Sequence, residues 1–222
     1  MRYIKFSERG SRMNNEDSLN ITEIADKRIL FVVCDGMGGH SCGEVASKTV
    51  CDSFSAYWQE HPETADSVQK IEDATKSASK TLDGKSGYYQ MGTTLVMASI
   101  EGFVAHIAHA GDSRCYIIDA EGNVRYRTID HIESSPISLP YISRSFFTRR
   151  PEDAVPEIKV VELQPHDRIL LCTDGLYNAI EDDRLLHTLQ CSKDLEQVAD
   201  EYRAICEEKA GDNYTAIIVE ME

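Results

Sequence analysis

With 222 residues, 41% of them hydrophobic and 27% charged, the chain can bury a sizeable core and lacks the bias of a disordered or fibrous sequence. A formal net charge of −15 argues against a nucleic-acid surface, since phosphate backbones demand clustered Lys and Arg. No signal-peptide core follows Met1, no apolar run approaches the roughly 18 residues of a membrane span, and the seven cysteines form no CxxC pair. A cytosolic chain with reduced thiols is therefore expected.

In chain order, residues 3–6 read as a first strand, and 16–22 with 28–34 as a hairpin over Asp26-Lys27. The apolar run 29–34 ends abruptly in Asp35-Gly36-Met37-Gly38-Gly39-His40, a carboxylate followed by glycine-rich backbone that allows close approach to a ligand. Ala46, Val50, Phe54 and Tyr57 predict a helix over 43–60. Val68, Ile71, Thr75, Ala78 and Leu82 predict a second, stopped by Asp83-Gly84. Runs at 93–100, 103–109, 113–118 and 123–127, joined by short turns, predict an antiparallel meander. The turn between its second and third strands is Ala110-Gly111-Asp112-Ser113-Arg114. His106 and His109 are three apart on a strand and point to opposite faces, so they read as packing residues rather than a metal pair.

The prolines of 128–156 discourage a long helix and predict a mobile surface segment, with Arg144, Arg149 and Arg150 as a possible basic patch toward a cleft. Strands at 157–162 and 168–173 follow, the second ending in Thr173-Asp174-Gly175, a repeat of the arrangement at Asp35. A short helix near 181–190, a longer one over 193–209, and Asp212-Asn213-Tyr214-Thr215 leading into a last strand at 216–219 complete the chain.

Five acids thus stand where strands meet turns: Asp17, Asp35, Asp112, Asp174 and Asp212, with Glu16 beside the first. Converging carboxylates repel one another and bind protons more tightly, a penalty that hard divalent cations remove. The Cys and His spacing of a zinc site is missing, as is a calcium loop.

Arg12-x-x-Asn15-Glu16-Asp17, Asp35-Gly36-Met37-Gly38-Gly39-His40, Gly92-Thr93-Thr94, Gly111-Asp112-Ser113-Arg114, Thr173-Asp174-Gly175 and Asp212-Asn213-x-Thr215 occur in this order over almost the whole chain. In this the chain resembles the metal-dependent protein phosphatases of the protein phosphatase 2C (PPM) family, in their bacterial stand-alone form. The resemblance implies an α+β fold, an αββα sandwich of two antiparallel sheets flanked by helix pairs, with 1–222 as one catalytic domain. It also implies a monomeric Mg²⁺- or Mn²⁺-dependent phosphatase that acts on phosphoserine and phosphothreonine in proteins and opposes a kinase. The metals would be held by Asp35 as a bridge, the Gly36 carbonyl, Asp174 and Asp212. Glu16 and Asp17 would act directly or through water, and Asp112 would hold a third ion. Arg12 would grip the phosphate, and a metal-bridging water would attack phosphorus without a phosphoenzyme. Met37 stands where many members carry His after Asp-Gly, which leaves His40 or a water to protonate the leaving alkoxide. Two rivals are a metal-docked regulatory module and a two-metal nuclease or phosphodiesterase.

Overall fold

The computed structural model describes residues 1–24, 28–37, 42–85, 87, 90–135, 138–190 and 194–222. Two antiparallel sheets lie face to face. One contains β2 (Asp17–Ile24), β3 (Arg28–Met37), β4 (Gly92–Thr93), β5 (Leu95–Glu101), β6 (Val104–Ala110), β11 (Phe146–Phe147) and β12 (Glu157–Glu162), in the order β11-β4-β3-β5-β6-β12 with β2 on the other side of β3. The second runs β1-β14-β13-β7-β8, from β1 (Arg2–Glu8), β14 (Tyr214–Glu220), β13 (Arg168–Cys172), β7 (Arg114–Ile118) and β8 (Val124–Arg127). Helices α1 (Gly43–Glu60) and α2 (Val68–Gly84) cover the first sheet; α3 (Asp174–Ala179), α4 (Asp182–Leu189) and α5 (Leu195–Lys209) cover the second.

The layering follows from the period-two alternation of the strands. Along β3, Leu30, Val32 and Cys34 pack on Val50, Phe54 and Ile71 of the helices, while Phe31 and Val33 face inward. Along β13 and β14, Leu170, Cys172, Ala216 and Ile218 meet Leu176, Val198 and Tyr202, while Ile169, Leu171, Ile217 and Val219 face inward. The inward sets share one core with Val96, Ala98 and Ile117. Strands of both central pairs are therefore apolar on both faces, as a strand with neighbours above and below must be. The α+β sandwich expected from the resemblance is what the chain forms. Local signals support the helices: the Ser67 hydroxyl accepts the Lys70 amide at the start of α2, and Asp194 with Gln197 forms a capping box on α5.

Several expectations from the sequence need correction. The meander is not continuous. β5 pairs with β6 and β7 with β8, but the link 111–113 between β6 and β7 crosses from one sheet to the other. Gly111 turns the chain there at φ +112°, where a Cβ would press on Thr94, so the crossing needs glycine. The run 93–100 is broken at Thr94, and β3 continues through Asp35 to Met37. Its backbone keeps partners that far: Gly36 N–H donates to Glu16 O at 3.1 Å and Thr94 N–H to Asp35 O at 2.9 Å.

The segment 128–156 is not a loose connector. It holds the hairpin β9 (Ile132–Ser135) and β10 (Ser138–Ile142), and the buried Phe146 seats β11 on β4. Its arginines do not gather at a cleft. The Arg149 amide donates to Asp83 Oδ1 at 2.7 Å and its guanidinium to Gly87 O, whereas Arg150 lies over the Phe147 ring, 5.7 Å from its centroid. Finally, Asp174 is not in a turn but opens α3, with the Leu176 amide donating to Thr173 O at 3.2 Å. The hairpin turn at Asp26-Lys27 lies outside the described residues.

Candidate active site

One end of the sandwich opens into a cleft of about 580 Å³, lined by residues that include Arg12, Glu16, Asp35, Gly36, Asp112, Asp174 and Asp212. Each arrives on a different part of the fold. Asp35 is carried by the end of β3, where its amide donates to Thr94 Oγ1 at 2.9 Å and its carbonyl accepts the Thr93 hydroxyl at 2.8 Å. Across the β2–β3 ladder its register partner is Asp17, and Glu16 precedes that strand. Asp112 sits on the crossing between sheets, held through Ser113, whose hydroxyl is 2.7 Å from that of Thr94. Asp174 begins α3 at the end of β13. Gly175 lets α3 start against the backbone of Asn213, which a Cβ would strike. Asp212 precedes β14 and meets an Arg12 guanidinium nitrogen at 2.6 Å.

Asn213 ties these pieces together. Its Oδ1 accepts the Glu16 amide at 2.8 Å, while its Nδ2 donates to Arg9 O at 2.7 Å and Asn14 O at 2.8 Å. The loop that bears Arg12 is thereby fixed to the turn that bears Asp212. Of the predicted residues, Asp17 lies beneath the cleft rather than on its wall, buried and accepting a hydrogen bond from Thr173 Oγ1 at 2.9 Å. His40 lies outside the described residues.

Burial is the main electrostatic fact here. It lifts the Asp35 carboxyl well above the usual range, and repulsion from Asp17, Asp174, Asp112 and Asp212 adds to this. Asp17 is pushed up to about 7 by burial against the opposing hydrogen bonds of Thr215 and Thr173. Asp112 rises to about 6 through burial and the charge of Asp174; Asp174 rises through burial and the charge of Asp212, with Arg12 opposing. Among the described residues Arg12 is the only cationic side chain on the cleft wall. Carboxylates gathered with so little counter-charge repel one another unless a cation joins them. The donors are all oxygens, which suits Mg²⁺ or Mn²⁺ and not the Cys and His preferences of zinc.

A second group of potential ligands, His109, His131 and Glu157, brings ligand atoms within 4.8 Å of one another, with His131 hydrogen-bonded to Gly111 beside Asp112. The two imidazoles stack, centroids 4.4 Å apart and 9° from parallel, so a cation cannot lie in the plane of both. His131 Nδ1 accepts the Gly111 amide, which puts the ring proton on Nε2, and the nearby charge of Arg144 opposes a further cation. His109 is wholly buried, with its Nε2 2.9 Å from Ile129 O.

Thr94, Asn213 and Thr173 are parts of the site to which residue type alone assigns no role. They stand inside the quoted motifs, but their function is to satisfy backbone or carboxylate groups from distant elements, which periodicity does not reveal.

The geometry agrees with what the chain is similar to. The family profile described as protein phosphatase 2C matches residues 7–212. The serine/threonine phosphatase stp of Listeria monocytogenes is 29% identical over 232 residues, covering 95% of this chain and 92% of that protein. The serine/threonine protein phosphatase PstP of Mycobacterium tuberculosis is 30% identical over 207 residues, covering 86% of this chain but 39% of PstP. Its crystal structure superposes with a TM-score of 0.83 at 28% identity, over 100% of this chain and 98% of that one. A structure of the PstP catalytic domain in complex with two manganese ions gives 0.82 at 28% identity, over 100% and 98%. Together with the cleft, the profile match over nearly the full length shows that this chain belongs to the protein phosphatase 2C family.

Proposed function

We propose that this serine/threonine phosphoprotein phosphatase hydrolyses phosphoserine and phosphothreonine in proteins by direct attack of water, using two core divalent cations. The observation that carries the reading is the meeting of Glu16, Asp35, Asp112, Asp174 and Asp212 with Arg12 in one cleft. Asp35, the Gly36 carbonyl, Asp174 and Asp212 would hold the core ions, with Glu16 and Asp17 acting directly or through water and Asp112 holding a third. When bound, such a pair of cations lowers the pKa of a water and orients it for in-line attack on phosphorus. Arg12, 58% exposed at the rim, offers the planar fork that matches two phosphate oxygens. The proton for the leaving alkoxide would come from His40 or a water, since Met37 cannot supply it.

In this reading residues 1–222 form one catalytic domain that works as a cytoplasmic monomer and opposes a Ser/Thr kinase. No described helix is long and apolar enough to cross a membrane. Phosphate release from a phosphothreonine peptide, measured with Mn²⁺, with Mg²⁺ and with EDTA, tests the assignment. Turnover with either cation and none with EDTA is expected; equal rates in all three would overturn it. Faster cleavage of bis-nitrophenyl phosphate than of the peptide would favour a phosphodiesterase instead.

A further inference from the structure

Three connected contacts lie behind the cleft, on the side of Asp112. The Tyr177 hydroxyl donates to the Asp112 carbonyl oxygen at 3.0 Å. The Arg114 guanidinium lies over the Tyr177 ring, 3.5 Å from its centroid. The same guanidinium makes a two-pronged pair with Asp130, at 2.9 Å from Nε and 2.8 Å from its terminal nitrogen, and reaches the Tyr116 hydroxyl at 3.0 Å. Tyr177 stands on α3 three residues after Asp174, so hydroxyl and carboxylate share one helical face.

This arrangement answers a mechanical problem. Asp112 rides on the crossing between sheets, next to Gly111 at φ +112°, and the charge of Asp174 repels its carboxylate. Backbone bonds from His131 N–H to Gly111 O at 2.9 Å secure one side of that turn. On the other side, at Asp112 O, the bond comes from Tyr177. Burial holds the phenol in its protonated, donating form, and the Arg114–Asp130 pair fixes the ring from behind.

We propose that Tyr177 is a positioning residue that ties the Gly111–Asp112 turn to α3 and so holds Asp112, against the charge of Asp174, where it would take the third divalent cation. The inference rests on the metal-dependent reading above. It predicts that loss of one hydroxyl weakens a metal site the hydroxyl does not touch, because a carboxylate left to that repulsion must be drawn back into place at each binding event.

The test compares wild type, Tyr177→Phe, Asp112→Asn and the double variant by Mn²⁺ titration, reading free ion by electron paramagnetic resonance, with thermal unfolding in EDTA alongside. Phe keeps the ring under Arg114, so the unfolding temperature in EDTA should move little. The weakest Mn²⁺ dissociation constant should rise several-fold in Tyr177→Phe and no further when Tyr177→Phe is added to Asp112→Asn. A Mn²⁺ isotherm for Tyr177→Phe that superposes on wild type would overturn the proposal, as would an equal weakening in the Asp112→Asn background. Wild type that binds no Mn²⁺ would instead bring down the metal-dependent reading on which the proposal stands.

Discussion

The Thr173 hydroxyl donates to Asp17 Oδ2 at 2.9 Å and accepts the Thr215 amide at 3.0 Å, so one oxygen joins the two sheets under the cleft floor. Thr173 is wholly buried and Asp17 nearly so. Thr173→Val keeps the shape but strands a buried amide and a buried carboxylate oxygen. The expected cost is about 1–3 kcal/mol, a fall of several degrees in Tm. Asp17 should also hold its proton more tightly, which shifts Mn²⁺ binding toward higher pH. Calorimetric unfolding and a Mn²⁺ titration at two pH values check both halves. Unchanged Tm would show that the hydroxyl does not bridge the sheets.

Asp35→Asn should abolish nearly all phosphate release, and Asp174→Asn should do likewise. Stability separates this from a folding defect. Burial raises both carboxyls, so a charged Asp35 costs the metal-free fold free energy at neutral pH. Neutral Asn removes that cost. The Tm of Asp35→Asn in EDTA should therefore equal or exceed wild type, while its gain on adding Mn²⁺ should shrink. Near wild-type turnover in excess Mn²⁺ would remove Asp35 from the metal site.

Arg12 reaches Asp212 across the cleft mouth while its side chain remains 58% exposed. A ground-state clamp on phosphate predicts that Arg12→Ala raises KM for a phosphopeptide by roughly tenfold and lowers kcat less. A loss confined to kcat would place the guanidinium on the transition state instead. Kinetics indistinguishable from wild type would leave it as a partner of Asp212 alone.

The amphipathic helices and most strands were legible because their apolar spacing is set by one buried face, as at Ala46, Val50 and Phe54. The candidate acids were legible because each lies in a short motif at a strand end. Three features were not. A three-residue link does not say whether it closes a hairpin or changes sheets, and at Gly111–Ser113 the choice is made by inward packing of Ile117 with Val96 and Ile169. The start of α3 was hidden by Gly175, a poor helix residue retained for its approach to Asn213. The segment 128–156 gave no period, since Phe146 is anchored by tertiary burial beside Phe54 rather than by any repeat.

The stacked pair His109 and His131 should make stability fall on acidification. Burial lowers both imidazoles from 6.5, His131 to about 4, with mutual repulsion and Arg144 adding for His131 while Glu157 opposes. The folded state thus resists protonation that the unfolded chain accepts between about pH 6.5 and 4. In that window the unfolded state binds more protons, so stability rises with pH and is lost as pH falls through the folded pKa. The shift at His131 alone corresponds to up to about 3 kcal/mol. Carboxylates titrate in part of the same range, so the comparison must be with His131→Asn, whose amide oxygen can still accept from the Gly111 N–H. Urea unfolding in EDTA should show the variant less stable at pH 7.5 and the difference closing by pH 4.5. A difference that stays constant across this range would mean that His131 contributes packing alone and that its protonation does not couple to folding.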